Sequence, residues 1–370
     1  MIRITRPQLG DEELQAIREV LESGFLVQGK AVAAFEWRIA DATGARFAVA
    51  VSSGTAALHL ALLALAIGPG DEVITSSFSF PATVNVIERV GARPVLVDVD
   101  LATFNLRTDL IERAITGATR AILPVHEFGL MADMAAVREI AVHRGLPIIE
   151  DAACSLGATQ TIDGRTVAAG SAGTFGCFSF HPRKSITTGE GGCLTTNDES
   201  LAERGRALRN HGMAVAHGEV DFVAAGLNYR LTEMQGAMGT VQMARLPAMI
   251  AERRCLARRY DERLHAMGRA CPPSEPQGRA HAYQSYVLML PPDAERPRVI
   301  ARLRERGVEA VRGAYAVHRL QYYRERYGHR PDAFPAASRA HDSALAVPLY
   351  PGMPADAVDT VCDALADALA

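Results

Sequence analysis

Lysine is rare in this chain, and one of its lysines lies where it can act as a nucleophile. Of the 39 basic residues only Lys30 and Lys184 are lysines, and the other 37 are arginines, which stay protonated in proteins. Lys184 follows the strand-like run 175–180 and precedes the glycine-rich run 187–192, whose glycines let a ligand approach the backbone. Lys30 lies in a polar, turn-like stretch, so Lys184 is the candidate for amine chemistry.

Two further groups of polar residues follow strand-like runs. The apolar run 146–149 leads into Glu150 and Asp151, which places a carboxylate where it can hold a cationic heterocycle nitrogen. The run 47–51 leads into Ser52–Thr55 and then into an apolar helix, and the backbone N–H groups of such a turn favour an anion. Both groups also have an ordinary structural explanation, because Ser, Thr and Asp cap helices in proteins of every kind.

The three groups together match one cofactor. Pyridoxal 5'-phosphate (PLP) needs an anion-binding turn, an acid that keeps its pyridine nitrogen protonated, and a lysine that forms an imine. The lysine is also the natural carrier of the proton between the substrate carbon and the cofactor carbon. These residues therefore predict a PLP site at the ends of three strands.

The three groups can meet only if the strands that carry them share a sheet. Strand-like runs alternate with helical segments in the first half of the chain, at 47–51, 72–75, 94–97, 121–125, 146–149 and 175–180. This alternation is typical of a mostly parallel sheet covered on both faces. Ligands of such sheets bind at the carboxyl ends of the strands, where the polar groups lie. We therefore predict an α/β fold with its site at that edge.

The second half of the chain has a different pattern. An Arg-rich helical stretch at 251–264 is followed by a loop and by the strand-like run 283–290. With 370 residues the chain also exceeds what a single hydrophobic core usually supports. We predict a large PLP-binding α/β domain over residues 1–244 and a smaller C-terminal α+β domain over residues 245–370.

Composition and charge exclude several classes of protein. The net charge is −3, without a basic stripe interleaved with aromatic residues, so we expect no nucleic-acid partner. The longest apolar stretch, 56–67, is shorter than the roughly 20 residues of a membrane span. Residues 1–14 lack the apolar core of a signal peptide, so we expect no membrane association and a cytoplasmic location. The six cysteines are widely spaced, which favours neither a disulfide framework nor a zinc site.

The chain resembles the DegT/DnrJ/EryC1/StrS family, the sugar aminotransferases of fold type I, from about Pro7 to about Leu365. The stretches that carry the resemblance are SGF near Ser23, SSGTAALHLAL at 52–62, SSFSFPATVNVI at 76–87, ADM at 132–134, EDAACSLGA at 150–158, FSFHPRKSITTGEGG at 178–192, RNHG at 209–212 and GLNYRLTEMQGAMG at 226–239. The run around Lys184 is the most specific of them. The resemblance implies a fold type I PLP-dependent transferase with a mostly parallel central sheet.

The resemblance also implies which residues lie around the cofactor ring. Lys184 would form the internal aldimine, and Asp151 would pair with the pyridinium nitrogen. Phe80 falls where the family places an aromatic ring stacked on the cofactor. Cys154 stands where many members carry Gln or His near the cofactor hydroxyl, so it is expected beside the ring without a catalytic role.

A second set of matching residues concerns the cofactor phosphate and the oligomer. Gly54, Thr55 and Ser179 would hold the phosphate within one chain. Asn228 matches an asparagine that in the family reaches the cofactor phosphate of the neighbouring subunit. The resemblance therefore implies a homodimer with shared active sites.

Departures from the family pattern leave the substrate open. Glu127 follows His126 where a hydrophobic residue is usual, and residues 315–318 match the family's Pro-Leu-His segment only in part. His126 is expected to be structural or peripheral, because no His/Cys/Asp spacing in this chain makes a metal site. The cofactor residues are not affected by these departures.

The implied activity is transfer of an amino group from an amino acid donor such as glutamate to a keto sugar, expected to be nucleotide-linked. One alternative keeps PLP but acts on a cyclitol or another ketone without a nucleotide. Another is a non-enzymatic regulatory protein on the same fold, which would leave an intact lysine, acid and phosphate set unused. Family members that act as dehydratases carry histidine in place of the lysine, and Lys184 argues against that branch.

Overall fold

The computed structural model describes residues 1–216 and 218–370 of the chain. Its helices are α1 (Asp11–Ser23), α2 (Lys30–Thr43), α3 (Gly54–Ala64), α4 (Ala82–Arg89), α5 (Ile111–Ala114), α6 (Met134–Arg144), α7 (Glu199–Arg209), α8 (Glu233–Met267), α9 (Arg296–Glu305), α10 (Gln321–Tyr327), α11 (Pro335–Ser343) and α12 (Ala355–Leu369). Short 3₁₀ turns lie at Thr108–Leu110, Glu127–Gly129 and Val317–Arg319. Helices and strands alternate along the chain.

The strands of the described ranges are mostly short. They are β1 (Phe47–Val51), β2 (Glu72–Ser76), β3 (Phe78–Ser79), β4 (Arg93–Val97), β5 (Thr119–Leu123), β6 (Ile149–Asp151), β7 (Thr159–Ile162), β8 (Arg165–Ala168), β9 (Phe175–Ser179), β10 (Gly192–Thr196), β11 (Met213–Ala216), β12 (Glu219–Phe222), β13 (Arg279–Ala280), β14 (Tyr286–Met289), β15 (Val311–Arg312), β16 (Tyr315–Ala316) and β17 (Ala344–Val347). The longest of them have five residues, which suits strands enclosed by helices.

All strands of the large sheet except β10 bring their carboxyl ends to one edge. A four-stranded part, in the order β1-β10-β9-β6, and a three-stranded part, β5-β2-β4, are joined by the parallel bridges Ile122–Ile148 and Val125–Asp151. Strand β6 is parallel to β9, and β2 is parallel to β4 and β5, whereas β10 is antiparallel to β1 and β9. The predicted α/β fold with a mostly parallel sheet is confirmed.

One predicted strand lies further along the chain than its apolar run. The run 146–149 predicts a strand, but β6 covers Ile149–Asp151. Pro147 has no N–H to donate to a neighbouring strand, so the regular ladder begins after it. Asp151 is therefore the last residue of the strand, and the strand fixes its backbone.

A close approach of two backbones shapes the edge where the site lies. A Cβ added at Gly192, the first residue of β10, would lie 2.3 Å from the backbone carbonyl carbon of Ser53. Ser53 caps α3, and its side chain accepts a hydrogen bond from the Ala56 N–H at 3.1 Å. Glycine at position 192 thus lets β10 lie directly against the turn between β1 and α3.

The C-terminal part packs around a core of its own. Residues of α8 such as Tyr260 and Leu264 cluster with Val358 and Leu365 of α12 and with the sheet β14-β17-β15. Helix α8 runs without a break from Glu233 to Met267 and passes through the predicted boundary between residues 244 and 245. The division into two domains stays a prediction.

Three further properties belong to the described residues. In residues 1–216 and 218–370, every helix is too short or too polar to cross a membrane. All six cysteines are free thiols, of which Cys177, Cys193 and Cys362 are buried. Over the same ranges, no three of the His, Cys, Asp and Glu side chains are grouped so that they could hold a metal ion.

A buried arginine ties α8 to two other segments. The Arg253 guanidinium, 2% exposed, donates to the carbonyl oxygens of Tyr283, Gln284 and Leu349 at 3.0, 3.0 and 3.2 Å. Burial lowers the pKa of Arg253 to about 10, so the side chain stays charged at neutral pH. Three charge-assisted hydrogen bonds then offset the cost of burying the guanidinium.

We predict that Arg253→Leu destabilises the protein by about 3–5 kcal/mol, because it leaves three carbonyl oxygens without their donor. Urea unfolding followed by circular dichroism measures the change. Arg258→Leu is the matched control, since Arg258 is exposed on the same helix, and it should shift stability by less than about 0.5 kcal/mol. Equal effects of the two substitutions would show that the Arg253 hydrogen bonds do not hold these segments.

Candidate active site

Adjacent strands bring Lys184 and Asp151 to the same edge of the sheet. Asp151 ends β6, and it lies opposite Cys177 in the parallel pair with β9. The chain leaves β9 after Ser179 and turns, with the Lys184 N–H donating to the His181 carbonyl at 2.8 Å. The half-buried Lys184 Nζ then lies 3.1 Å from the Sγ of Cys154, three residues beyond Asp151.

The charge on Lys184 depends on its acidic neighbours. Burial alone lowers the pKa of Lys184, but the contact with Cys154 and the nearness of Asp151 and Glu127 outweigh it, and the pKa of the amine is raised above its ordinary value. Burial raises the pKa of the Cys154 thiol, so at neutral pH it contacts Lys184 without a charge. The Asp151 carboxylate is then the anion that balances the lysine.

The Asp151 carboxylate is buried and held by hydrogen bonds on both oxygens. Oδ2 accepts from the Thr83 hydroxyl at 2.7 Å, and Oδ1 accepts from the Ala153 N–H at 3.2 Å. Thr83 lies in the first turn of α4, 68 positions earlier in the chain. The sequence does not reveal Thr83 as a partner of Asp151, because a threonine in the first turn of a helix carries no signal of a partner so far away in the chain.

The turn after β1 and the end of β9 form one small, open cradle. A Cβ added at Gly54 would lie 2.7 Å from the Cβ of Ser179, which is too close for two carbon atoms. Glycine at position 54 therefore allows the turn after β1 to contact the end of β9. Thr55 is exposed in the first turn of α3, where backbone N–H groups have no partner within the helix. The arrangement of Gly54, Thr55 and Ser179 suits an anion such as a phosphate.

Phe80 lies just before α4, and its exposed ring is near an aromatic residue from the C-terminal part. The Phe80 ring is 66% exposed, and its centroid lies 6.4 Å from that of Tyr315. Antiparallel pairing of β3 with β16 places Tyr315 there, opposite Ser79. The open face of Phe80 is available for stacking against a flat ring.

Asn228 is a predicted site residue that has no contact with the other predicted site residues in the single chain. It is exposed and lies beside Asn210 in an antiparallel bridge. None of the contacts of the described residues joins its side chain to Lys184, Asp151 or the turn at Gly54.

Glu150 and His126 form a buried pair. The His126 Nδ1 accepts from the Ala132 N–H at 3.1 Å, so its Nε2–H donates to Glu150 at 2.8 Å. The same carboxylate accepts from the N–H groups of Gly170 and Gly173. Glu150 therefore holds the loop before β9, although it is adjacent to Asp151 in the chain.

The donor set fits PLP. The cradle at Gly54 and Ser179 exists only because position 54 lacks a Cβ, and it offers backbone N–H groups to a phosphate. Lys184 supplies an amine and Asp151 a buried carboxylate, which suit the aldehyde and the pyridinium nitrogen of the cofactor. Phe80 adds an aromatic face.

Comparison with known proteins agrees with this chemistry. A model of the DegT/DnrJ/EryC1/StrS aminotransferase family matches residues 7–366. The chain belongs to that family. The spore coat polysaccharide biosynthesis protein SpsC from Bacillus subtilis (strain 168) is 38% identical over 381 residues, covering 98% of this chain and 95% of SpsC.

Solved structures show the same fold. The aminotransferase TlmJ from Streptoalloteichus hindustanus is 35% identical with a TM-score of 0.91, covering 100% of this chain and 99% of TlmJ. The PLP-form of Spr1654 from Streptococcus pneumoniae is 27% identical with a TM-score of 0.91, covering 98% of this chain and 97% of that one. The predicted PLP dependence and aminotransferase activity are confirmed.

We predict that Gly54→Ala weakens PLP binding about tenfold or more, because its new Cβ would push Ser179 away from the helix start. Titration of the apo-protein with PLP, followed by absorbance, gives the Kd. Gly117→Ala is the control, since Gly117 is exposed and has no atom within 4 Å of an added Cβ. Unchanged affinity in Gly54→Ala would remove this turn from the cofactor site.

Proposed function

We propose that the aminotransferase moves an amino group from an amino acid, with glutamate as the expected donor, to the keto carbon of a nucleotide-linked sugar. The product is an amino sugar. The observation that carries the proposal is the placement of Lys184 beside Asp151, at an edge that also holds the cradle at Gly54. SpsC is named for polysaccharide biosynthesis, which supports a sugar as the acceptor.

Lys184 is the residue that we propose moves the proton. Bound PLP supplies an aldehyde for the amino group and a ring that accepts the electron pair of the reacting carbon. With PLP and substrate bound, Lys184 would be the group that takes the proton from the substrate carbon and later returns it. The Sγ of Cys154 lies 3.1 Å from the Nζ of Lys184. Because this thiol is uncharged and only a weak hydrogen-bonding group, it does not prevent the amine from taking part in proton transfer.

Asp151 is proposed to keep the ring nitrogen protonated. Its carboxylate is 5% exposed and is fixed by Thr83 and Ala153, so it cannot turn toward water. A buried carboxylate favours the charged form of a neighbouring nitrogen. Gly54, Thr55 and Ser179 hold the phosphate in this proposal, and Phe80 covers one face of the ring.

An arginine side chain beside the pocket favours a negatively charged substrate. The Arg312 guanidinium lies 5.3 Å from the ring centroid of Tyr315, which in turn contacts Phe80. The Nη1 of Arg312 lies 2.8 Å from the Nε2 of His341. A nucleotide-linked sugar and an amino acid donor both bring negative charge to such a position.

The reaction is tested with glutamate, PLP and a panel of ketones: nucleotide-linked keto sugars, the same sugars without the nucleotide, and a keto-cyclitol. We expect 2-oxoglutarate and an aminated nucleotide sugar, both measured by mass spectrometry. Lys184→Ala should lower the rate by at least about 10³-fold, because it removes both the covalent attachment and the proton carrier. Lys30→Ala should keep the rate, since Lys30 is exposed at the start of α2.

Two results would contradict this proposal. Borohydride reduction of the PLP-loaded enzyme should fix the cofactor on the peptide that contains Lys184, and label on Lys30 instead would show that the lysine was wrongly assigned. Faster amination of the cyclitol or of the nucleotide-free sugars would overturn the nucleotide-linked substrate.

A homodimer with shared sites is also part of the proposal. Large apolar side chains are exposed at Phe25 and Val27 and along the hairpin β11–β12, at Val215, Val220 and Phe222. Apolar patches of this kind mark protein–protein interfaces. Asn228 lies a few residues beyond the hairpin and is exposed as well. A second copy of the chain would cover these residues and bring Asn228 to the partner's cofactor phosphate.

Mixing two inactive variants tests the shared site. Lys184→Ala lacks the amine, and Asn228→Asp places a carboxylate against the phosphate, which weakens PLP binding by charge repulsion. If a site combines Lys184 of one chain with Asn228 of the other, the mixed dimer has one site with both lesions and one site with neither. Co-expression should then restore up to about half of the activity per mixed dimer, as measured by 2-oxoglutarate formation. No recovery in a dimer shown to contain both variants would place Asn228 outside the partner's site.

A further inference from the structure

Gln284 is a buried amide that reaches the loop of Lys184 from the C-terminal part of the chain. Its side chain is 8% exposed, and its Nε2 donates to the Arg183 carbonyl oxygen at 2.5 Å. A carbonyl oxygen only accepts hydrogen bonds, so the amide must present its NH₂ group to Arg183. The contact joins residues 101 positions apart, and the activity proposed above assigns it no role.

The hydrogen bond from Gln284 ends on the peptide group that precedes Lys184. The Arg183 carbonyl and the Lys184 N–H belong to that same planar group. The Lys184 N–H donates to the His181 carbonyl at 2.8 Å, within the turn. Both polar atoms of the peptide group are therefore held, one by the turn and one by Gln284. The group cannot rotate without breaking one of these bonds, and its orientation sets the direction in which the Lys184 side chain leaves the backbone.

The backbone that carries Gln284 is itself held in place. Tyr283, the preceding residue, has a φ of 47°, a left-handed conformation that is costly for residues other than glycine. Its N–H donates to the Nδ1 of His281 at 2.8 Å, and burial lowers the pKa of His281 to about 3, so this ring is uncharged at neutral pH. The Arg253 guanidinium donates to the carbonyl oxygens of Tyr283 and Gln284, both at 3.0 Å. These bonds hold the strained backbone.

The same segment also lies against the 3₁₀ turn after β5. The Ala282 N–H donates to the Gly129 carbonyl at 2.8 Å, and the Ser285 N–H donates to the Phe128 carbonyl at 3.3 Å. A Cβ added at Gly129, whose φ is 110°, would lie 3.0 Å from the backbone nitrogen of Gln284. Glycine at position 129 therefore allows this close approach. The Gln284 side chain thus starts from a backbone fixed between α8 and the turn.

We propose that Gln284 is a positioning residue that holds the peptide group before Lys184 and so keeps the amine at its place beside Cys154. The inference rests on the proposed role of Lys184 as the lysine that binds PLP and moves the proton. It gives a buried amide of the C-terminal part a role in the chemistry at the edge of the large sheet.

Because Lys30 and Lys184 are the only lysines, the position of the amine can be tested in the full chain before PLP is added. A trace of acetic anhydride labels each amine according to its exposure and to its fraction of free base. Mass spectrometry of the two peptides gives the ratio of Lys184 labelling to Lys30 labelling as a function of pH. Lys30 is exposed and serves as the internal standard.

The tested variant is Gln284→Met, whose side chain is of similar size but has no hydrogen-bond donor. The contact with Cys154 and the nearness of Asp151 and Glu127 raise the pKa of Lys184 in the unchanged protein. When the loop is released, the amine should move away from these groups, so its pKa falls and its exposure grows. Both changes speed labelling, and we expect the labelling ratio at pH 8 to rise about threefold or more.

Two control variants separate positioning from a general loss of stability. Val358→Ala removes buried apolar volume from the core of the C-terminal part, so it should lower the Tm and leave the labelling ratio unchanged at every pH. Gln321→Met is the same substitution at an exposed glutamine and should change neither. An unchanged labelling ratio in Gln284→Met, or an equal rise in Val358→Ala, would overturn the positioning role.

Turnover gives a second test, which depends on the proposed reaction. In the PLP-loaded enzyme Gln284→Met should lower kcat about tenfold and leave the KM for glutamate within about twofold, because a misplaced lysine slows proton transfer after the substrate has bound. A raised KM with an unchanged kcat would overturn the positioning role. An unchanged enzyme that aminates none of the ketones would contradict the proposed function. The labelling ratio needs neither PLP nor substrate, so it would still decide the role of Gln284.

Discussion

The site is organised by the burial of one negative charge at the end of a central strand. A carboxylate removed from water is costly unless donors and a positive charge surround it. For Asp151 the donors are the Thr83 hydroxyl and the Ala153 N–H, and Lys184 lies close enough for the carboxylate to raise the pKa of the amine. The first turn of α4 and the loop after β9 must therefore both reach the end of β6.

The turn after β1, at the same edge of the sheet, has the opposite electrostatic requirement. The cradle at Gly54 must offer positive partial charge and empty space, and both come from the backbone of a helix start without a Cβ. Gly192 allows the backbone of β10 to press against Ser53, which keeps the cradle next to Ser179 at the end of β9. PLP combines a cationic ring nitrogen with an anionic phosphate. The carboxylate at the end of β6 suits the ring nitrogen, and the backbone N–H groups after β1 suit the phosphate.

The sequence indicated the strands of the large sheet and the polar residues at their ends, because apolar runs and the residues that follow them are local features. Strand β6 begins later than its apolar run, because Pro147 has no N–H to donate to the ladder. The link between Asp151 and Thr83 joins residues that are far apart in the chain, and no local pattern encodes it. The pairing of β3 with β16, which brings Tyr315 to Phe80, was missed for the same reason.

The two sides of the pocket come from different parts of the chain. Lys184, Asp151 and the cradle belong to the large sheet and its loops, so their positions follow from strand order and from close backbone contacts. Tyr315 and Arg312 reach the pocket from the C-terminal part through one short strand pair. Substitutions among these C-terminal residues can alter what lies against Phe80 without moving the strands that hold the cofactor groups. The fold thereby separates the residues proposed to hold PLP from Tyr315 and Arg312, which come from another part of the chain.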